Sequence, residues 1–249
     1  MSVAQRVVRF GLIGTPLSHS FSQRWFTEKF HREGLSDHRY DPFEIPSIDL
    51  LPQLIADTPE LRGLNVTIPY KQSVVPYLHR VDPLAAAVGA VNTIRIADGE
   101  ITGHNTDVEG FRRTLLPLLK GPKPRALVLG SGGASRAVVY VLKELGIKFR
   151  VVSRSRERGD ITWDLLEPIL VDVCKLIINT TPLGMHPEVG TLPPVPLKSI
   201  GSKHVVIDLV YNPAETLFLR EAKARGATIC NGMAMLEAQA QASWRVWTG

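Results

Sequence analysis

Short apolar runs, glycine turns and helical patterns alternate along the second half of the chain. Ala126–Leu129 is an apolar run that is too short for a helix and typical of a buried parallel strand. Apolar residues at helical spacing follow over Ala134–Leu145, Gly146 ends that helix, and Phe149–Val152 is a second apolar run. Strand, glycine turn, helix and strand over this length predict one βαβ unit.

The same kind of pattern extends to the rest of the chain. Towards the C-terminus it predicts further strands at Leu176–Asn179, Val205–Leu209 and Thr228–Cys230. In the first half it predicts a helix at Phe21–Arg32 and strands at Arg6–Ile13, His38–Ile45, Leu64–Ile68 and Ala90–Ile96. Asp98-Gly99 indicates a hairpin turn. We therefore expect an α/β protein of two domains, the second built on a doubly wound parallel sheet.

A glycine cluster lies between the first strand and the helix of the βαβ unit. Gly130, Gly132 and Gly133 leave the backbone open, and a diphosphate can approach it only where no Cβ intervenes. The exposed N–H groups and the helix dipole then favour the phosphate charge. Ser135 replaces the third glycine of the usual fingerprint, so the interpretation depends on the strand and helix around it. We interpret this turn as a dinucleotide site; a tight turn that binds nothing is the alternative.

The end of the second strand indicates which dinucleotide is bound. An NAD site usually has Asp or Glu there, bonded to the ribose hydroxyls. In this chain Ser153–Arg158 contains three arginines, two serines and one acid. Because a guanidinium can bind phosphate through two hydrogen bonds, this segment favours the 2′-phosphate of NADP. A solvated basic loop is the alternative.

Composition narrows the class of protein. The chain has 249 residues, of which 44% are hydrophobic and 21% charged, as in an ordinary globular protein of one large or two small domains. It has no apolar run of membrane-spanning length and no signal-peptide pattern. Cys174 and Cys230 provide neither a disulfide framework nor a metal-ligand spacing, so we expect a cytoplasmic protein that needs no metal. The net charge of +5 is spread along the chain, which favours small anionic ligands over nucleic acid.

Several polar side chains of the first half lie where strands end and helices begin. Ser18 and Ser20 precede the first helix, where Ser20 by itself is explained as an N-cap. Lys71 comes just past the predicted strand Leu64–Ile68, at the strand end where ligands gather in α/β sheets. Asp107 precedes a long helix, and an N-cap is again the simplest explanation. Position alone gives none of them a catalytic role.

A series of short motifs runs along nearly the whole chain, from near Phe10 to the final helix. In order they are Gly14–Ser20, Asn65–Lys71, Gly89–Thr93, Asn105–Asp107, Gly130–Ser135, Asn179–Thr181, Asp208–Pro213 and Gly232–Gln239. Together they resemble the shikimate dehydrogenase family. The resemblance implies a Rossmann-like NADP-binding domain. It also implies a reversible, NADP-dependent reduction of 3-dehydroshikimate to shikimate in the biosynthesis of chorismate and aromatic amino acids.

The resemblance also implies roles for single residues. Lys71 and Asp107 would be the catalytic pair: Lys71 donates a proton while 3-dehydroshikimate accepts hydride, and Asp107 positions the ammonium group and shares a hydrogen bond with the reacting hydroxyl. Ser18 and Ser20 would hold the substrate carboxylate. Other substrate contacts would come from Thr67, Asn92 and Gln239, which bind ring hydroxyls, and from Asn65 and Tyr211, which line the cleft.

The resemblance further implies a set of cofactor contacts. They would come from Gly130, Ser131, Gly132, Gly133, Ala134, Ser135, Ser153, Arg154, Ser155, Arg158, Thr180, Thr181, Leu209 and Gly232. Ser153-Arg154-Ser155 stands where the family usually has Asn-Arg-Thr, and Arg156 competes with Arg158 as the second arginine on the 2′-phosphate. The implied domains are 1–107 with 232–249 for substrate binding and catalysis, and 108–231 for NADP. Because the chain ends soon after Gln239, we expect a short last helix with little terminal packing.

Other functions remain open from the sequence. The nearest is a quinate or shikimate dehydrogenase that uses NAD, and a catalytically idle NADP-binding sensor belongs to a different class. Nucleic-acid binding is a distant third. We expect a small-molecule substrate, no membrane or nucleic-acid partner, and a monomer or homodimer.

Overall fold

The computed structural model describes residues 7–17 and 21–249. The chain forms two compact units, which we call unit 1 (Met1–Thr106 with Ala240–Gly249) and unit 2 (Asp107–Gln239). Each unit contains one six-stranded sheet. Ser18 and Ser20, which the resemblance assigns to the substrate carboxylate, lie outside the described residues.

Unit 1 has a mixed sheet. Its strands are β1 (Val8–Gly14), β2 (His38–Glu44), β3 (Leu61–Val66), β4 (Arg80–Val81), β5 (Thr93–Ala97) and β6 (Glu100–His104), and its helices α1 (Phe21–Arg32), α2 (Leu51–Asp57) and α3 (Pro83–Val88). The strand order is β2-β1-β3-β5-β6-β4. β1 is parallel to β2 and β3, whereas β5 is antiparallel to β3 and β6. The carboxyl end of β3 therefore lies beside the start of β5.

Two local predictions for unit 1 have different outcomes. The Asp98-Gly99 hairpin is confirmed: both residues have positive φ, 53° and 76°, and they join β5 to β6. The strand predicted at Leu64–Ile68 is instead β3, Leu61–Val66. Past Val66 the backbone is still bonded to the β1 segment, since the Thr67 N–H donates to the Ile13 carbonyl at 2.9 Å, and the Tyr70 N–H then closes a turn onto the Thr67 carbonyl at 2.9 Å.

Unit 2 has a parallel sheet. Its strands are β7 (Ala126–Leu129), β8 (Phe149–Ser153), β9 (Ile161–Thr162), β10 (Leu176–Asn179), β11 (Val205–Asp208) and β12 (Thr228–Cys230). The helices that start here are α4 (Asp107–Leu115), α5 (Gly133–Glu144), α6 (Pro168–Val173), α7 (Leu217–Ala224) and α8 (Met233–Thr248). All neighbouring strands run parallel, in the order β9-β8-β7-β10-β11-β12. This is the doubly wound order, with its switch point between β7 and β10. The predicted α/β fold class is confirmed.

The last helix is longer and better packed than the sequence suggested. α8 has 16 residues, and its Trp247 is 7% exposed within an aromatic cluster that includes Phe10, Phe26 and Tyr40. The Trp247 indole N–H donates to the Ile94 carbonyl at 2.8 Å. The expectation of a short helix with little packing is therefore wrong, because tryptophan makes the final turn part of the unit 1 core.

No helix within residues 7–17 and 21–249 combines the length and the apolar character needed to cross a membrane.

Candidate active site

Lys71 lies in a turn that follows β3. The Tyr70 N–H, bonded to the Thr67 carbonyl, closes the start of this turn. The Lys71 carbonyl accepts a hydrogen bond of 2.7 Å from the Val91 N–H. Lys71 is half-buried, and its backbone is thereby fixed beside the segment that contains Asn92.

Asn92 connects the two ends of the β5–β6 hairpin. Its Oδ1 accepts from the Thr106 N–H at 2.7 Å, and its Nδ2 donates to the Thr106 Oγ1 at 2.9 Å. The Asn105 Nδ2 donates to the Ala90 carbonyl at 2.8 Å. All three polar side chains are buried. The residues that follow the hairpin are therefore held against those that precede it.

A buried network of hydroxyl and amide groups starts at Asn65. Its Oδ1 accepts from the Tyr40 hydroxyl at 2.8 Å, and its Nδ2 donates to the Ser243 Oγ at 2.8 Å. The Ser243 Oγ also lies 2.8 Å from the Thr93 Oγ1 and 3.1 Å from the Thr106 Oγ1. Burial raises the pKa of the Tyr40 phenol far above its ordinary value, so Tyr40 stays a neutral donor. The Asn65 amide group therefore makes hydrogen bonds to other residues of the protein, and its contact with a substrate stays a prediction.

Asp107, Tyr211 and Gln239 belong to unit 2. α4 begins at Asp107 itself, so this carboxylate lies in the first turn of the helix, where the dipole favours negative charge. Tyr211 is half-buried after β11. The Gln239 Nε2 donates to the Leu236 carbonyl at 3.0 Å within α8. The roles of these side chains towards a substrate stay predictions.

The predicted glycine turn lies at the switch point of the unit 2 sheet. Gly130 has a φ of 107°, and a Cβ there would lie 2.7 Å from the Thr180 Oγ1 and 3.0 Å from the Thr181 Cγ2. The Thr180 Oγ1 donates to the Leu129 carbonyl at 2.8 Å. A Cβ on Gly132, the N-cap of α5, would meet nothing within 4 Å. The turn therefore packs closely on β10 and leaves the helix N-terminus open to a phosphate.

Leu209 and Gly232 lie at the next strand ends of the same sheet. The Leu209 N–H donates to the Asn179 carbonyl at 2.9 Å, which joins the ends of β10 and β11. A Cβ on Gly232 would lie 2.0 Å from the Leu209 carbonyl oxygen. Only glycine therefore permits this approach of the two backbones. The structure brings Thr180, Leu209 and Gly232 to one edge of the sheet.

Asp208 is the centre of a second buried network at this edge. Its Oδ1 accepts from the Asn179 Nδ2 at 2.9 Å and from the Val210 N–H at 3.0 Å. Its Oδ2 accepts from the Thr216 Oγ1 at 2.7 Å. Desolvation by burial raises the pKa of Asp208 to about 6, although these hydrogen bonds oppose the change.

The predicted arginine segment follows β8. Arg154, Arg156 and Arg158 are exposed, whereas Ser153 is 2% exposed. The pKa of the Asp164 carboxyl is lowered, first by a hydrogen bond with Thr162 and to a smaller extent by the charge of Arg156. Both Arg156 and Arg158 therefore stay candidates for a second arginine on a phosphate.

Sequence reasoning missed the buried polar partners of the predicted residues. Ser243 follows Gln239 by one helical turn on α8, so helical spacing places both on one face. Thr106 lies inside the Asn105–Asp107 motif, so the sequence also contained an indication of its importance. Thr216 had none, because a serine or threonine before a helix is usually explained as an N-cap, a role that it does play towards the Leu219 N–H.

Comparison with known families and sequences gives consistent results. Residues 12–94 match the family model of the shikimate dehydrogenase substrate binding domain. A shikimate dehydrogenase (NADP(+)) from Desulforamulus reducens is 38% identical over 96% of this chain and 89% of its own length.

Solved structures are similar over almost the whole chain. Shikimate 5-dehydrogenase from Thermus thermophilus, in complex with NADP(H) and shikimate, has a TM-score of 0.87 and 33% identity over 98% of this chain and 94% of its own. Quinate dehydrogenase from Corynebacterium glutamicum, in complex with NAD, has a TM-score of 0.86 and 28% identity over 98% and 94%. The fold is thus shared by proteins that differ in substrate and in cofactor.

Proposed function

The chain belongs to the shikimate dehydrogenase family, and we propose that it interconverts shikimate and 3-dehydroshikimate with NADP. In the reducing direction, the ketone carbon gains a hydride and the ketone oxygen gains a proton. When bound, NADPH supplies the hydride. The chain itself has to hold the substrate, exclude other reactions and move the proton.

We assign the proton transfer to Lys71 and Asp107. The Lys71 ammonium gives a proton to the oxygen that becomes the hydroxyl and takes it back in the oxidation. The Asp107 carboxylate orients the ammonium group and accepts a hydrogen bond from the reacting hydroxyl. Substrate binding is assigned to Ser18, Ser20, Asn65, Thr67, Asn92, Tyr211 and Gln239.

One observation carries this proposal. Within unit 1, the Lys71 backbone and the Asn105 side chain are bonded to two adjacent residues, Val91 and Ala90, at 2.7 and 2.8 Å. Asp107 follows Asn105 by two positions in the sequence. The Lys71 backbone and the Asn105 side chain, which are far apart in the sequence, are thus bonded to one short segment of unit 1, and this supports a joint role of Lys71 and the Asn105–Asp107 motif.

The residues of unit 2 fit a dinucleotide. Gly132 leaves open space in front of α5, where a diphosphate can accept N–H hydrogen bonds, and Gly130 and Gly232 keep the strand ends free of side chains. Arg154 and Arg158 are suited to the 2′-phosphate. We propose 108–231 as the NADP-binding domain and 1–107 with 232–249 as the substrate-binding and catalytic domain.

The first experiment measures turnover of Lys71→Ala with shikimate and NADP. We expect kcat to fall by roughly 10²–10⁴-fold, the contribution of general acid–base catalysis, with little change in the KM for shikimate. Lys148→Ala, at an exposed lysine in unit 2, is the matched control and should keep normal turnover. Near-normal turnover of Lys71→Ala would refute its assignment.

The same assay separates the alternatives. Shikimate and quinate are each offered with NADP and with NAD. Turnover with quinate and NAD would keep the fold and the catalytic pair but replace the proposed substrate and cofactor. No turnover in any combination, together with measurable NADP binding, would favour an idle sensor.

We also propose a cytoplasmic location and a monomer or homodimer. The two cysteines, Cys174 and Cys230, are both free thiols, and free thiols suit a reducing compartment. Burial raises the pKa of each thiol, which keeps it protonated and less reactive.

A further inference from the structure

The connection between β8 and β9 is very short for two parallel strands. Val152 pairs with Ile161 and Ser153 with Thr162 in parallel register. Residues 154–160 alone join them, whereas parallel strands are usually joined by about a dozen residues or more. We call residues 154–160 the arginine arch, because it carries the three exposed arginines.

Asp160 closes the base of the arginine arch against Val151. Its N–H donates to the Val151 carbonyl at 2.8 Å, and its Oδ2 accepts from the Val151 N–H at 2.7 Å. One residue thus satisfies both backbone groups of Val151 and fixes the distance between the ends of the arch. The salt bridge to Arg150, at 3.9 Å, is exposed and adds little.

Gly159 fits the base because it has no side chain. A Cβ at this position would lie 2.9 Å from the Cβ and Oγ of Ser153 and 2.9 Å from the Val151 carbonyl oxygen. Two of these atoms belong to a buried side chain and one to the backbone, so none can move aside freely. Alanine at position 159 would therefore push the two ends of the arch apart.

Hydrogen bonds inside the arch transmit such a change to the arginines. The Ser153 hydroxyl donates to the Ser155 carbonyl and accepts from the Ser155 N–H. The Arg158 N–H donates to the same carbonyl at 3.2 Å. The backbones of Arg154 and Arg158 thus lie on either side of Ser155. Ser155 is bonded to Ser153, the residue whose side chain a Cβ on Gly159 would contact.

We propose that Gly159 and Asp160 are positioning residues that hold Arg154 and Arg158 for the 2′-phosphate of NADP and thereby set the preference for NADP over NAD. This inference rests on the proposed function, in which these arginines bind that phosphate. It adds that the arginines alone are insufficient: the closed base of the arch gives them the spacing that two-point binding of a phosphate needs.

The test is calorimetric binding of 2′,5′-ADP and of 5′-AMP, which differ by the 2′-phosphate and require no turnover. For Gly159→Ala we expect the Kd of 2′,5′-ADP to rise by about tenfold, since a lost charge-assisted contact has roughly that effect, and the Kd of 5′-AMP to stay unchanged. Gly201→Ala is the matched control, because a Cβ there meets nothing within 4 Å. Equal affinities of Gly159→Ala and Gly201→Ala for 2′,5′-ADP would overturn the inference.

Two further variants keep the test decisive if Gly159→Ala does not fold. Asp160→Ala removes the acceptor for the Val151 N–H and should weaken 2′,5′-ADP binding, whereas Asp160→Asn keeps an acceptor and should restore it. Equal binding by both variants would contradict a role for this hydrogen bond. Arg154→Ala tests the proposed function separately: if it leaves the 2′,5′-ADP affinity intact, the arginine assignment fails whatever the arch does.

Discussion

Replacing Asp208 by asparagine should remove a pH dependence from the stability of unit 2. Asp208 is fully buried, and burial raises its pKa to about 6 from an ordinary value of 3.8. In the variant, the amide nitrogen would face the Thr216 Oγ1, and the remaining oxygen could still accept from Asn179 and Val210. Asparagine therefore resembles the protonated form of Asp208 and cannot ionise.

The size and sign of the effect follow from this difference in pKa. Below about pH 4 the carboxyl is protonated in both the folded and the unfolded chain, so it causes no pH dependence. Between about pH 4 and pH 6 the unfolded chain releases the proton while the folded chain retains it, and the free energy of unfolding falls. Above pH 6 the loss is complete and amounts to about 3 kcal/mol.

The assay is urea-induced unfolding of wild type and Asp208→Asn between pH 4 and pH 8. Trp163 is the one tryptophan of unit 2, so the part of the fluorescence change that is lost in a Trp163→Phe background reports on this unit. We expect the stability difference between wild type and variant to shift by about 3 kcal/mol across pH 4 to 6, against wild type as the pH rises. A difference that is constant with pH would refute the reasoning.

Two further predictions concern the C-terminal helix in unit 1. Ser243→Ala should lower the free energy of unfolding by about 1–3 kcal/mol in urea. The buried Asn65 Nδ2 loses its shortest hydrogen bond and keeps only longer contacts, of 3.3 Å to the Thr93 Oγ1 and 3.4 Å to the Asn92 carbonyl. Thr248→Ala, at an exposed position of the same helix, is the control, and equal costs would contradict the prediction. Gly63→Ala should lower the free energy of unfolding by about 1–3 kcal/mol, because its Cβ would lie 2.3 Å from the Trp247 Nε1. Thermal unfolding should show a smaller loss when the same change is made in a Trp247→Phe background. An equal loss in both backgrounds would show that the indole is not the cause.

The central strands of unit 2 could be predicted closely from the sequence. β7 and β10 have the bounds that the apolar runs indicate. Strands in the middle of a parallel sheet are buried on both faces, so they appear as continuous apolar runs. Glycine and polar turns mark the ends of these runs. The apolar run and its turn residues all lie within a few positions of the strand, so a short stretch of sequence is enough to predict it.

The buried networks could not be predicted in this way. Ser243 is 178 residues from Asn65 in the sequence, yet their side chains are bonded at 2.8 Å. No local pattern contains such a pair, because it exists only once β3 and the end of α8 pack together. Gly159 is close in sequence to Ser153 and Val151, yet it could not be predicted either, because its need for glycine comes from the close approach of these two residues in the folded arch and not from a positive φ.

The preference for one nicotinamide dinucleotide has to come from the segment after β8. The strand order is a feature of the whole fold, and similar folds have been solved in complex with NADP and in complex with NAD. In this chain the residue directly after β8 is Arg154, where an NAD site usually has a carboxylate. An exposed guanidinium by itself attracts any anion, so selectivity for a phosphate at one position also needs a fixed geometry. The closed base at Gly159 and Asp160 provides that geometry, which is why the cofactor preference of this chain depends on two residues that carry no positive charge.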